Sequence, residues 1–307
     1  MEPTFTYHSC NFCPRNCQAD RYVSRGYCQS PAEPVAARAA LHPWEEPCIS
    51  GLHGSGTVFF SGCTLRCCFC QNYKISSQGF GKAVTSRRLS EIFLELQAQG
   101  AHNINLVTAT QYLPSVLEAL TLSKQDLKIP VVYNCGGYET GETLEALAPY
   151  VSVWLPDLKY YSPELSARYS GAQDYFEKAS SAIQKMIALA GPPVFEDFSE
   201  NGQRCQLMKR GVIIRHMVLP GQKEDSIRLL HWIHETLPKG QYLLSLLSQY
   251  TPFYRTADYP EINRRITSYE YQKVVDTALE LGLCDGFMQE KSSAKEEYTP
   301  PFELEGI

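Results

Sequence analysis

The sequence lacks the features that would place it in a membrane or along a nucleic acid. In 307 residues, no apolar run approaches the ~18 residues that a membrane-spanning helix needs. The opening stretch MEPTFTYHSCNFCPR has no basic start followed by an apolar segment, so no secretory signal is expected and the chain reads as cytoplasmic. Basic residues are outnumbered, 28 Lys and Arg against 33 Asp and Glu, and a formal net charge of −5 argues against a broad nucleic-acid footprint. No internal repeat or low-complexity tract is visible. With 44 % apolar and 20 % charged residues the composition is globular, and the length suits one large α/β domain or two ordinary ones.

Cysteine, by contrast, is abundant. Twelve cysteines in a chain with no export signal are expected to be reduced thiols or metal ligands. Cys10, Cys13, Cys17 and Cys28 crowd the N-terminus, and Cys63, Cys67, Cys68 and Cys70 crowd a second stretch. Cys205 and Cys284 are isolated and read as small buried hydrophobes.

Three regions follow from the pattern along the chain. Residues 1–50 are rich in Pro, Cys and Arg, with little periodicity, and read as an irregular lobe held by a metal, with a short helix around Pro34–Leu41. Residues 51–290 alternate short apolar runs with amphipathic helical stretches, the pattern of parallel β/α units. The runs are Val58–Ser61, Ile104–Val107, Val131–Asn134, Val151–Leu155, Val212–Leu219 and Tyr242–Leu247. Leu89, Ile92, Phe93 and Leu96 make one helical stripe; Leu113, Val116, Leu117 and Leu120 make a second; Leu229, Leu230, Ile233 and Leu237 make a third. A further helix is expected near Tyr269–Leu281, and residues 190–211 read as an inserted loop or hairpin. Residues 291–307 read as a tail. Six strands with helices between them suit an α/β partial barrel, in which ligands gather at the carboxyl ends of the strands.

The first strand runs into Gly62-Cys63-Thr64-Leu65-Arg66-Cys67-Cys68-Phe69-Cys70-Gln71-Asn72. The spacing CxxxCxxC offers three thiolates within eight residues. A four-iron cubane has four corners that proteins commonly fill with Cys, and three ligands leave one corner open to chelate an amine and a carboxylate. The methionine end of S-adenosylmethionine (SAM) carries both groups. Cys68 lies off the spacing and is assigned no ligand role. Structural zinc usually takes four protein ligands, which this loop supplies poorly.

The stretch GSGTVFFSGCTLRCCFCQN, residues 54–72, resembles the start of the radical SAM domain of pyruvate formate-lyase activating enzymes. The chain as a whole is more similar to the PflX-type iron–sulfur proteins of that superfamily, through CxxCPRxC, ISGLHGSGT, NINLVTATQYLP, VVYNCGGYE, LPDLKYY, IRHMVLPG and SQYTP, over nearly all of residues 10–260. The resemblance implies a partial (β/α)6 radical SAM barrel, one [4Fe-4S] cluster on Cys63, Cys67 and Cys70, and one SAM. It implies reductive cleavage of SAM to a 5′-deoxyadenosyl radical that abstracts hydrogen, electrons from a donor such as flavodoxin or ferredoxin, and, by analogy, a glycyl residue of a partner enzyme as substrate. A small molecule or another macromolecule is the alternative substrate class, and a non-catalytic metal-binding or electron-transfer protein the alternative function.

Candidate SAM contacts lie at the other strand ends. Thr108 and Thr110 stand where related proteins often carry a Gly-Gly-Glu-like turn; this chain departs from that, and Thr hydroxyls and backbone would do the same work. Asn134 precedes the Gly136–Gly137 pair, near the expected ribose. Alternation puts Asp157 and Lys159 on one face of their strand, and Arg215 interrupts an apolar strand with a fork suited to a carboxylate. Asn72 and Gln249 complete the set. His216 points away from Arg215 and reads as structural, and His231 and His234 as a solvated helix face. Cys10, Cys13, Cys17 and Cys28 form a second metal site, for zinc or an iron–sulfur cluster. The extra cluster insertion that many glycyl-radical activases carry after the SAM loop is absent, since no Cys falls between Cys70 and Cys135. Pro31, Pro34, Pro43 and Pro47 separate the two cysteine sets, which predicts that they assemble independently.

Overall fold

The computed structural model describes residues 5–289 and 300–307. Its centre is a sheet of seven parallel strands taken in chain order: β2 (Ser55–Phe60), β4 (Ile104–Val107), β5 (Val131–Cys135), β6 (Val153–Pro156), β8 (Gln203–Met217), β9 (Leu243–Leu247) and β10 (Gly286–Met288). Each step from one strand to the next in space is also a step along the chain, as right-handed β/α crossovers dictate. Strands β2, β4, β5 and β6 are buried along their whole length, which explains why they read as unbroken apolar runs rather than alternating ones. The arrangement is the partly open α/β barrel that the periodicity predicts.

The helices cover the outside. α3 (Ser86–Ala98) starts at Thr85, whose side chain accepts from the Arg88 N–H, and buries Leu89, Ile92, Phe93 and Leu96. α4 (Leu113–Ser123) buries Leu113, Val116 and Leu120, and α8 (Lys223–Thr236) buries Leu229, Leu230 and Ile233. α5 (Gly141–Leu147), α6 (Pro163–Ser170) and α7 (Tyr175–Ala190) fill the middle crossovers. α9 (Ser268–Glu280) opens with a reciprocal capping box between Thr267 and Glu270. Two single-turn helices, α1 (Pro47–Ser50) and α2 (Tyr73–Ser76), flank the first strand. The inserted segment is a hairpin, β7 (Val194–Glu200) pairing antiparallel with the start of β8.

One sequence expectation needs correction here. Pro34–Leu41 is not helical: β1 (Val35–His42) pairs antiparallel with β2 and with the short β3 (Lys82–Ala83). The Ala-rich VAARAALH has helical propensity, but the free edge of β2 and the fully buried Ala36 and Ala37 outweigh that preference. The N-terminal lobe packs onto the barrel: Tyr7, Cys10, Phe12 and Ala32 belong to the same continuous core. Arg21 is its pin. This side chain, 1 % exposed, donates to the carbonyls of Ser30, Pro31 and Gln111 and lies over the rings of Tyr7 and Tyr112. At the other end of the chain, Leu304 donates to the Ala37 carbonyl and Ala39 to that of Glu305, so residues 300–307 dock on β1; residues 291–299 of the expected tail lie outside the described residues.

Candidate active site

A cavity of about 230 Å³ occupies the carboxyl ends of the parallel strands. Cys63, Cys67 and Cys70 line it together. Each sulfur has a donor: the Leu65 N–H reaches Cys63 at 3.4 Å, the Ser170 hydroxyl reaches Cys67 at 2.9 Å and the Ser76 hydroxyl reaches Cys70 at 3.3 Å. Donors of this kind stabilise negative charge on sulfur and tune a bound metal centre. Burial pushes the Cys63 thiol up to about 11 and the Cys70 thiol up to about 12, so without a metal both stay protonated at neutral pH. Cys68 does not line the cavity; it is buried, with its N–H on the Tyr169 carbonyl and its carbonyl accepting from Arg255. Phe69 lines the cavity edge-on to Tyr250.

The loop is held from behind by residues that the motif does not show. The Gln111 amide nitrogen reaches the carbonyls of Ser61, Gly62 and Thr108 at 2.7–3.0 Å, tying the first turn of the loop to the end of β4. Gly62 has φ +84°, and a Cβ there would lie 2.0 Å from the Ser30 hydroxyl and 2.9 Å from the Cys28 carbonyl. Arg15 donates to the Thr64 carbonyl and Tyr27 to that of Leu65. The lobe and the loop therefore share a wall.

All the predicted contacts except Thr110 line the cavity: Asn72, Thr108, Asn134, Asp157, Lys159, Arg215 and Gln249. Thr108 carries a left-handed backbone, φ +57°, unusual for a β-branched residue and typical of strain kept at a working site. Thr110 turns away; its hydroxyl donates to Glu139 at 2.9 Å and sits 2.8 Å from the Tyr133 hydroxyl, serving a buried carboxyl rather than the cavity. Burial pushes that Glu139 carboxyl up to about 8, against the donors from Thr110 and Tyr133.

Asp157 and Arg215 face each other on adjacent parallel strands. The Asp157 carboxylate accepts from Lys159 Nζ at 2.5 Å and from Arg215 Nε at 3.0 Å. Arg215 also donates to Asn134 at 2.5 Å and pairs with Glu45 at 3.4 Å. Burial alone would raise the Asp157 carboxyl, but Arg215 and Lys159 outweigh it and hold it below the usual carboxylate range. Sequence reasoning missed Cys135 at the cavity wall and, in the segment assigned to the irregular lobe, Glu45 and Glu46. The adjacent acids in Trp44-Glu45-Glu46-Pro47 were the available signal.

Next to Arg215, His216 is buried, with Nδ1 2.7 Å from the Leu158 carbonyl and Nε2 2.8 Å from the Ser226 hydroxyl. Burial lowers it from 6.5 to about 4. A depressed folded value favours the neutral ring in the fold, so this contribution is complete above pH 6.5 and is lost as pH falls through 4. The loss amounts to about 3 kcal/mol. Urea unfolding at pH 7 and pH 4.5 should show that drop, and His216→Gln should flatten it.

Behind the loop, Cys10, Cys13, Cys17 and Cys28 line one small cavity of about 10 Å³ with Arg15 and Arg21. The thiols surround it without converging: among the described residues, no three Cys, His, Asp or Glu side chains are placed to hold a single ion. Burial and the neighbouring Glu139 raise the Cys13 thiol above its ordinary value.

A parallel partial barrel with three cysteines on the loop after its first strand defines a class, and comparison with known families agrees. The model of the radical SAM superfamily matches residues 57–233, more than half of the chain, and the chain belongs to that superfamily. An uncharacterised protein of Methanocaldococcus jannaschii, MJ0674, is 30 % identical over 282 residues, covering 89 % of this chain and 75 % of its own. Among solved structures, Streptococcus suis SuiB bound to S-adenosylmethionine aligns with a TM-score of 0.51 at 14 % identity, over 74 % of this chain and 48 % of SuiB. SuiB bound to its precursor peptide SuiA aligns with a TM-score of 0.50, over 74 % of this chain and 46 % of SuiB. This chain thus spans about half the length of SuiB, and at that identity the likeness concerns the fold. Among the described residues, no helix is long and apolar enough to cross a membrane.

Proposed function

We propose that the chain is an enzyme of the PflX type that holds a [4Fe-4S] cluster on Cys63, Cys67 and Cys70, binds SAM in the same cavity and abstracts hydrogen from a substrate. The observation that carries this reading is that three thiols, each with a hydrogen-bond donor, and a buried Asp157–Lys159–Arg215 network line one cavity. The donor set fits the group, since three thiols leave one iron for the amine and carboxylate of SAM. When bound, cluster and SAM supply one-electron cleavage of a carbon–sulfur bond and a carbon radical.

The chain's own residues bind, orient and exclude water. Lys159 has Asp157 as its one ion-pair partner among the described residues and is free to share its ammonium with the SAM carboxylate. Arg215 is already engaged by Asp157, Asn134 and Glu45, so its part is to hold Asp157 and Asn134 in place for the ribose. Phe69 and Leu65 close the apolar side, and Asn72 and Gln249 stand at the mouth. The substrate is a glycyl residue of a partner enzyme, a small molecule or another macromolecule, and a flavodoxin or ferredoxin supplies the electron. The test is release of 5′-deoxyadenosine from anaerobically reconstituted, reduced protein with SAM. A cluster that accepts electrons without releasing it would make the chain an electron carrier instead.

The lobe cysteines form a second metal centre in this proposal. The four thiols line one cavity with Arg21 and would have to draw together to hold a metal, with zinc and an iron–sulfur cluster distinguished by metal analysis. Because Cys28 and Tyr27 back the cluster loop, the Cys13→Ser/Cys17→Ser double variant should lose this metal and also load the loop less completely. Iron and zinc content per chain, with the amplitude of the SAM-responsive signal, measures both; a full signal in a metal-depleted lobe would mean that the two sites assemble independently.

A further inference from the structure

A second cavity of about 210 Å³ adjoins the first, sharing Arg215, Asn134, Asn72 and Gln249 with it. Its private wall comes from Trp44, Glu45 and Glu46, which precede α1, and from Ser245 on β9. Neither Glu45 nor Glu46 lines the cluster cavity.

Among the described residues, charge is not balanced in this second chamber. Asp157 is matched by Lys159 and Arg215. Glu45 takes Arg215 at 3.4 Å and the amides of Asn105 and Asn134 at 3.1 and 3.3 Å. Glu46 has no ion pair among the described residues, although it is only 8 % exposed, and its Oε2 is buried without a hydrogen-bond partner. Ser245 is 1 % exposed, and its hydroxyl also has no partner. Burial raises the Glu46 carboxyl above its ordinary value, against the lowering influence of Arg215, and Ser245 lies close to it but not in hydrogen-bond geometry. An unmatched buried carboxylate and a hydroxyl cost free energy unless something that donates sits between them. Trp44, half exposed, lines the same chamber.

We infer that this chamber is the substrate subsite and that it takes a protonated primary amine, held by Glu46 and Ser245 and placed beside the SAM cavity. The inference rests on the proposed SAM enzyme and narrows its substrate class. Such an amine is carried either by a free metabolite or by a lysine side chain of a peptide, and each has three donors for the acceptors present. A glycyl backbone offers no such group, so this chamber favours an amine-bearing substrate over a glycyl partner.

The test is calorimetric titration of the reconstituted, SAM-loaded full chain with n-pentylamine and with acetyl-Gly-Lys-Gly-amide, against n-pentanol and pentanoate. At least one amine should bind, and the alcohol and the acid at least tenfold more weakly. Binding of the free amine alone points to a metabolite, and binding of the peptide points to a polypeptide. Glu46→Gln should weaken the amine at least tenfold while the SAM-induced change in the cluster signal stays as in the wild type. Silence from both amines, equal binding of the alcohol, or an unaltered amine affinity in Glu46→Gln overturns the subsite. The charge series on the wild type decides the matter even if the variant does not fold. The SAM response of the same samples separates the two levels. Its absence sinks the enzyme reading, and its presence without amine binding sinks the subsite alone.

Discussion

Replacing Cys63, Cys67 or Cys70 with Ala should abolish the SAM-responsive cluster signal entirely, while Cys68→Ala should keep it. The first three sulfurs share one cavity, and each has a donor in place. Cys68 points into the protein, tied through its backbone to Tyr169 and Arg255. Loss of one thiolate from a three-ligand loop leaves two irons without a protein ligand, so the effect is all-or-none rather than graded. Electron paramagnetic resonance of the reduced variants with and without SAM reads the outcome. A normal SAM-shifted spectrum in any of the three would remove that residue from the ligand set.

The second large effect separates two cations that look alike in sequence. Lys159→Met should cost about 1.5–3 kcal/mol of SAM affinity, on the order of ten- to a hundredfold, with little effect on folding. Arg215→Met should act chiefly on stability, by about 3–5 kcal/mol, because it strands the buried carboxylates of Asp157 and Glu45 and the Asn134 amide together. Urea unfolding of the apo forms and SAM titration of the cluster signal distinguish them. Equal destabilisation by both variants, or unchanged SAM affinity in Lys159→Met, would contradict these assignments.

Why the sequence pointed to Arg215 and Lys159 but not to their partners is a matter of range. Alternation along Asp157-Leu158-Lys159 is local, and so is a lone Arg inside an apolar strand; both survive in one dimension. The same holds for the helical stripes of α3, α4 and α8 and for the buried strands, whose periods reflect the face they bury. Glu45 reaches Arg215 across 170 residues, and Arg15 reaches Ser170 across 155, and no local period encodes either contact. The strand β1 was misread because its Ala-rich pattern is decided by the edge it joins, not by propensity. Thr110 was misplaced by a single turn: the chain bends at Thr108, and the next hydroxyl faces Glu139.

The shared wall at Gly62 also sets an order of events in maturation. The back of the cysteine loop is filled by Ser30 and the Cys28 carbonyl at Gly62, by Arg15 at Thr64 and by Tyr27 at Leu65. In the proposed enzyme, iron and sulfide would approach Cys63, Cys67 and Cys70 from the barrel side, the cavity proposed for SAM. On that proposal delivery would come first and through that mouth, so a protein already carrying SAM should accept iron slowly, and a scaffold that hands over a preformed cluster would dock on the open strand ends rather than on the lobe.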